Sequence, residues 1–278
     1  MIDVIIETLI DSLKLLPFLI LVFIFMEYLE HKYSNKTKEI VKKSGKFGPI
    51  FGGLLGAFPQ CGFSVAMTNL YATRIVSMGT LIAIYLSTTD EMIPILISKG
   101  VEGSLIIKLV LIQVVVAIIF GLLIDFILKK RKKESNIKDF CEIEHCDCEH
   151  KGVIVSGLKH SFNIFVYILV VSFFINILMH YGGEELLSNI FMKDSIFSSF
   201  VAGLIGLIPN CVSSVMLTEL YLNEIISFGA VISGLLTASG VSFLVLFRVN
   251  KNNKENISIV LITLLIGIIV GNLIDIFI

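Results

Sequence analysis

The chain has 278 residues, of which 55% are hydrophobic and 16% charged, with a formal net charge of −1 and a mean hydropathy of +0.91. Soluble domains carry about 25% charged residues, so this composition excludes a cytosolic globule, a disordered chain and a nucleic-acid binder. Five unevenly spaced cysteines are too few for a secreted disulfide scaffold, which leaves an all-α polytopic membrane protein with the lipid bilayer as its first partner.

Taken in chain order, the apolar segments free of Asp, Glu, Lys and Arg are the expected membrane elements. The first runs from Leu15 to Met26; acids precede it and no small-residue cleavage site follows, so it is not read as a signal peptide. Phe47–Thr73 is too long for one simple span and is interrupted by Pro59-Gln60-Cys61-Gly62, which predicts a hairpin with its turn inside the membrane. Residues 76–98 predict a crossing broken near Ser87-Thr88-Thr89-Asp90-Glu91, and residues 104–128 a return. The second half predicts the same series, through Ser161–Gly183, Ser195–Thr218, Ile225–Phe247 and Asn256–Ile274.

Lys and Arg mark cytoplasmic loops. They gather at 31–46, at Lys129–Lys133 and at Arg248–Lys254, whereas the loop from Gly182 to Asp194 is acidic and is expected outside. The N- and C-termini are then outside, and residues 129–157 cytoplasmic. Adding 150 to a residue number in the first half reaches its counterpart without a gap: Gly53, Gly56, Pro59, Cys61 and Tyr71 match Gly203, Gly206, Pro209, Cys211 and Tyr221, and Gly121 and Asp125 match Gly271 and Asp275. The loop charges reverse between the copies, Arg74 becoming Glu224, which predicts inverted topology and a substrate held near the midplane. The expected organisation is a first transmembrane repeat at 1–128, a basic and Cys/His-rich linker at 129–157, and a second, inverted repeat at 158–278. Each has about five membrane elements, about ten helices or half-helices in all, with proline-broken hairpins.

Three motifs carry candidate chemistry. Gln60 and Cys61, echoed by Asn210 and Cys211, follow a proline where irregular backbone offers free carbonyls to a cation; the alternative is a polar turn with two packed thiols. Ser87, Thr88, Thr89, Asp90 and Glu91 place two acids inside a crossing, where ionisable groups mark ion pathways. Their counterparts keep Thr237 and Ser239 but lose both acids. Asp90, Glu91, Gln60 and Asn210 make an oxygen-rich set suited to a divalent cation such as Mn²⁺, with a carboxylate free to exchange metal for protons. In the linker, Cys141, His145, Cys146, Cys148 and His150 form a weak metal-binding or regulatory cluster, or else a flexible acidic stretch. No resident cofactor, nucleic acid or catalytic step is expected, and a homo-oligomer stays open. Asp125 and Asp275 read as interfacial, and Tyr71 and Tyr221 as belt aromatics at the hairpin exits.

The run Phe58-Pro59-Gln60-Cys61-Gly62-Phe63-Ser64, then Asn69-Leu70-Tyr71, Gly79-Thr80-Leu81 and Ser87-Thr88-Thr89-Asp90-Glu91 with Pro94, resembles the ten-transmembrane heavy-metal exporters, also described as arsenic-efflux-like proteins or manganese transporters. The resemblance implies export across the bacterial plasma membrane; the oxygen-rich ligand set favours manganese as the substrate, and the inverted repeat an alternating-access mechanism. A looser similarity to arsenical efflux permeases gives a rival that would depend on Cys61 and Cys211. An intramembrane enzyme is the third alternative; it would need a buried Arg, His or nucleophile pair that the spans lack.

Overall fold

The computed structural model describes residues 47–57, 61–89, 92–129, 196–209 and 212–277, with single positions at 17, 20, 24, 158, 162, 165, 166, 169, 170 and 173. Among the described residues there is no strand, and the elements with described bounds are ten α-helices. The first half holds α1 (Gly48–Gly56), α2 (Cys61–Ala72), α3 (Met78–Ser87), α4 (Met92–Ser98) and α5 (Gly103–Lys129). The second holds α6 (Ile196–Gly206), α7 (Val212–Leu222), α8 (Phe228–Thr237), α9 (Ser242–Val249) and α10 (Asn253–Phe277). Leu158, Phe162, Val166 and Val170 are also helical and expose large apolar side chains, where the first helix of the second copy is expected. The linker lies outside the described residues.

Among the described residues, three stretches are long and apolar enough to cross a membrane: Gly103–Leu128, Phe228–Val249 and Asn253–Phe277. The hairpin arms are not. α1, α2, α6 and α7 have 9, 12, 11 and 11 residues, so each is about 14–18 Å long against a hydrocarbon core of about 30 Å. As described, each arm is therefore about half the length that a full span needs. α5 separates its faces cleanly: Leu109, Gln113, Ala117, Gly121 and Ile124 are buried, while Ile107, Leu111, Val115, Ile119 and Leu123 point outward as a lipid-facing stripe.

α1, α3 and α5 pack as one three-helix unit, and α6, α8 and α10 repeat it. Glycines set the close approach. A Cβ at Gly79 would meet the Gly121 carbonyl oxygen and the Asp125 carboxylate, and at Gly229 it would meet the Gly271 carbonyl oxygen and Asp275, the small-residue packing typical of membrane helices. Asp125 earns its place here: it accepts from Gly79 N at 2.9 Å and Ser77 Oγ at 2.5 Å, so it holds the N-terminus of α3. Asp275 does the same for α8, accepting from Gly229 N and Ser227 Oγ, each at 2.7 Å. Ser77 and Ser227 are the N-caps themselves, accepting from Thr80 N and Ala230 N, each at 3.1 Å.

The hairpin exits repeat as well. Arg74 and Glu224 take left-handed backbone, with φ of 64° and 57°. At each, the next amide returns to a carbonyl five residues back, Ile75 N to Leu70 O and Ile225 N to Leu220 O, each at 2.9 Å. This is a Schellman ending built on a charged residue where glycine is usual.

The halves interlock through their second arms: α2 packs on α9, and α7 on α4. Ser242 Oγ donates to Ser64 Oγ at 2.6 Å near the start of the first pair. At its far end the Arg74 guanidinium and the Tyr71 hydroxyl both bond the Glu255 carboxylate, with Arg74 Nη2 to Oε2 at 2.8 Å. The hairpin exit and the 248–254 turn thus share one end of the bundle. Lys99 Nζ meets Glu219 Oε1 at 3.2 Å at the opposite end, where α5 begins.

Candidate functional site

The helix interruptions converge. α3 stops at Ser87 because Thr88 turns to extended backbone, φ −64° and ψ 123°, and α4 does not begin until Met92. The Ser87 and Thr88 hydroxyls both donate to the Ile84 carbonyl, at 3.2 and 2.7 Å, so side chains take up a carbonyl near the end of α3. Thr89 Oγ1 reaches across to donate to Ala57 O at 3.0 Å. Ala57 is the C-cap of α1 and flanks the hairpin tip. The C-terminal end of α1 and the break in the crossing helix are therefore joined at one place.

The second half builds the same junction with different bonds. α8 stops at Thr237, whose Oγ1 donates within hydrogen-bond distance of Gly203 O at 2.9 Å and Gly234 O at 2.8 Å. Ala238 leaves the helix, Gly240 has φ of 55°, and α9 begins at Ser242. Because Ser242 bonds Ser64, one turn past the first hairpin tip, the second break lies against the first hairpin.

Of the residues expected to bind substrate, Ser87, Thr88, Thr89, Thr237 and Ser239 are all buried at these junctions. Gln60, Asp90, Glu91, Asn210 and Cys211 lie outside the described residues, as do Cys141, His145, Cys146, Cys148 and His150 of the linker. Cys61 opens α2, but its side chain is not among those described. Among the described residues no three His, Cys, Asp or Glu side chains gather into a metal-holding group. The described flanks bring the two sequence motifs to one junction; they do not by themselves supply the ligands.

Several polar side chains that sequence reasoning passed over line this region. Thr68 Oγ1 donates to Ser64 O and shares a hydrogen bond with the Tyr85 hydroxyl, each at 2.7 Å, in a fully buried setting. Tyr85 stands edge-on to Phe243 with ring centroids 5.1 Å apart, joining α3 to α9. Asn69 donates to Val65 O at 3.0 Å, but its Oδ1 has no partner. Ser239 Oγ and both polar atoms of Gln113 are likewise buried without hydrogen-bond partners among the described residues. An unsatisfied buried polar group costs about 1–3 kcal/mol, so a carboxamide with neither atom bonded is the largest such debt in the region. One signal was visible beforehand: Gln113 is the sole polar side chain in the apolar run Leu109–Ile124.

Comparison with known proteins gives one match. The family model described as "Putative, 10TM heavy-metal exporter" matches residues 1–184 and 154–278, which together cover the chain. No curated protein and no solved structure matches it.

Proposed function

The chain belongs to the ten-transmembrane heavy-metal exporter family, and from that premise we propose that it exports a divalent transition-metal cation, manganese above others, by alternating access. The observation that carries this reading is the Thr89 hydroxyl on the Ala57 carbonyl. Asp90 and Glu91 follow Thr89 directly, and Gln60 and Cys61 lie three and four residues after Ala57. At about 3.5 Å of chain per residue, both motifs are tethered within roughly 14 Å of that one bond. Two carboxylates, an amide oxygen and buried threonine and serine hydroxyls favour an oxygen-preferring cation over a soft one. Carboxylates that must lose protons to bind metal would couple export to proton entry.

The two halves act as inverted repeats on this reading, with the Arg74–Glu255 end cytoplasmic, the Lys99–Glu219 end outside, and the plasma membrane of a bacterium as the location. The matched N-caps, glycine contacts and Schellman exits support a common ancestral unit; the opposite charges at Arg74 and Glu224 support its inversion. The linker cluster at Cys141, His145, Cys146, Cys148 and His150 would bind metal weakly in a regulatory role.

The test is a growth screen of a metal-sensitive bacterial host expressing the protein, against Mn²⁺, Zn²⁺, Cd²⁺, arsenite and methylarsenite, with cell metal content measured. Resistance to Mn²⁺ with falling cell manganese, lost in Asp90→Asn or Glu91→Gln, is the expected result. Unchanged metal tolerance in those variants overturns the site. Arsenical resistance that depends on Cys61 and Cys211, with the acids dispensable, would establish the arsenical permease instead.

A further inference from the structure

Gln113 is fully buried on α5, and among the described residues neither its Oε1 nor its Nε2 has a hydrogen-bond partner. Its position follows from two helix registers. Along α1, the Cβ that Gly121 lacks would point at Pro49, and the one that Gly53 lacks would point at Ala117 and Ile118. The two helices therefore run antiparallel in matched four-residue steps, and the next step pairs Gln113 with Ala57. Along α3, Gly121 lies against Gly79 and Ala83. In the second half Gly267, the counterpart of Ala117, lies against Ser233 and Thr237, whose first-half counterparts are Ala83 and Ser87. One turn further along α5 puts Gln113 level with the break between Ser87 and Met92. Both registers end at the junction where Thr89 donates to Ala57.

The other copy shows that the scaffold does not require this group. The counterpart of Gln113 is Thr263, equally buried, and its hydroxyl is satisfied by the Ile259 carbonyl at 2.9 Å. Beside it, the second break carries Gly240 and Val241 where the first carries Asp90 and Glu91. The unsatisfied carboxamide thus belongs to the half whose break carries two acids in its sequence, while the satisfied threonine belongs to the half whose break has none.

We infer that Gln113 is a binding residue of the transport site, its carboxamide oxygen serving as a neutral ligand to a divalent cation at the first-half junction. The inference rests on the cation-export reading above and adds a residue from the long spanning helix to a site otherwise made of chain interruptions. A neutral oxygen suits such a site: it adds a ligand without adding charge to be neutralised, and it needs no proton released before the metal binds.

The experiment compares the purified full-length protein with Gln113→Leu and Gln113→Thr, measuring thermal unfolding with and without Mn²⁺ and Mn²⁺ uptake into inside-out proteoliposomes. Without metal both variants should unfold at or above the temperature of the parent, because an orphaned carboxamide has been removed. With Mn²⁺ they should lose the metal-induced rise in unfolding temperature, and KM should climb about ten-fold or more, the scale for losing a partner in a metal site. If Mn²⁺ stabilises the parent and both variants alike with unchanged KM, the role assigned to Gln113 is wrong and cation export stands. If either variant unfolds well below the parent without metal and keeps its KM, Gln113 is a packing residue. If the parent itself neither binds nor transports Mn²⁺ or another divalent cation, both readings fall together.

Discussion

The breaks at 88–91 and 238–241 occupy equivalent places in two similar halves, yet they carry different side chains. In the second half the Thr237 hydroxyl goes to backbone carbonyls of α6 and its own helix, Thr263 bonds its own helix, and Gly240 supplies the left-handed turn. In the first half Thr89 crosses to the hairpin tip, Gln113 is left unsatisfied, and two acids stand in the chain at the turn. Around the breaks the copies agree, down to the Asp125 and Asp275 bonds that hold α3 and α8. The frame is therefore shared between the halves, while the residues at the breaks differ. The second half also leaves the Ser198, Ser199 and Ser239 hydroxyls without partners among the described residues, so the contrast rests on the two acids and on Gln113, for which the second half has Gly240, Val241 and Thr263.

The sharpest way to break this comparison is at the acids. Asp90→Asn or Glu91→Gln should abolish metal transport in proteoliposomes while leaving unfolding temperature unchanged, whereas Gly240→Asp in an Asp90→Asn background should not restore it. Restoration would mean that the two junctions are interchangeable. Next in size are the shared glycines. Gly79→Ala and Gly229→Ala each force a methyl onto a facing backbone carbonyl, and each should cost about 1–3 kcal/mol or more, equally in both halves, by thermal unfolding in detergent. A large difference between the two would show that the frames are less alike than their contacts.

Smaller effects sharpen the contrast. Thr237→Val removes a hydroxyl bonded only to backbone carbonyls and should cost about 1 kcal/mol of stability with KM unchanged. A rise in KM would move part of the site into the second half. The two ends of the bundle differ least of all. Arg74→Ala breaks a two-pronged, partly buried contact to Glu255 that Tyr71 shares and should lower stability by about 1 kcal/mol, while Lys99→Ala, in a half-exposed pair, should stay within about 0.5 kcal/mol.

Much of this was legible in the residues. The break at Ser87–Glu91 could be read because polar residues and acids interrupt an apolar crossing, and the hairpins because Pro59 and Pro209 cut segments too long for one span. The pairing of copies was readable because Pro, Cys, Tyr and Gly stay in register at an offset of 150. Asp125 and Asp275 illustrate the limit: their sequence positions suggested an interfacial place, but the caps they provide join residues 48 apart, and no local pattern announces such a bond. Gln113 was visible as an oddity in an apolar helix and carried no meaning until its neighbours were known.

By itself the sequence determined the membrane class, the self-similarity at an offset of 150 and the break after Ser87, because each depends on hydropathy, residue identity or local backbone chemistry, which act over a few residues. Tertiary structure alone decided that Thr89 meets Ala57, that each second arm packs on the other half, and which helix faces Gln113 and the glycines present to their neighbours. Those facts depend on helix register, which is set by where glycines let one helix approach another, and register is a property of pairs of segments that no single segment encodes.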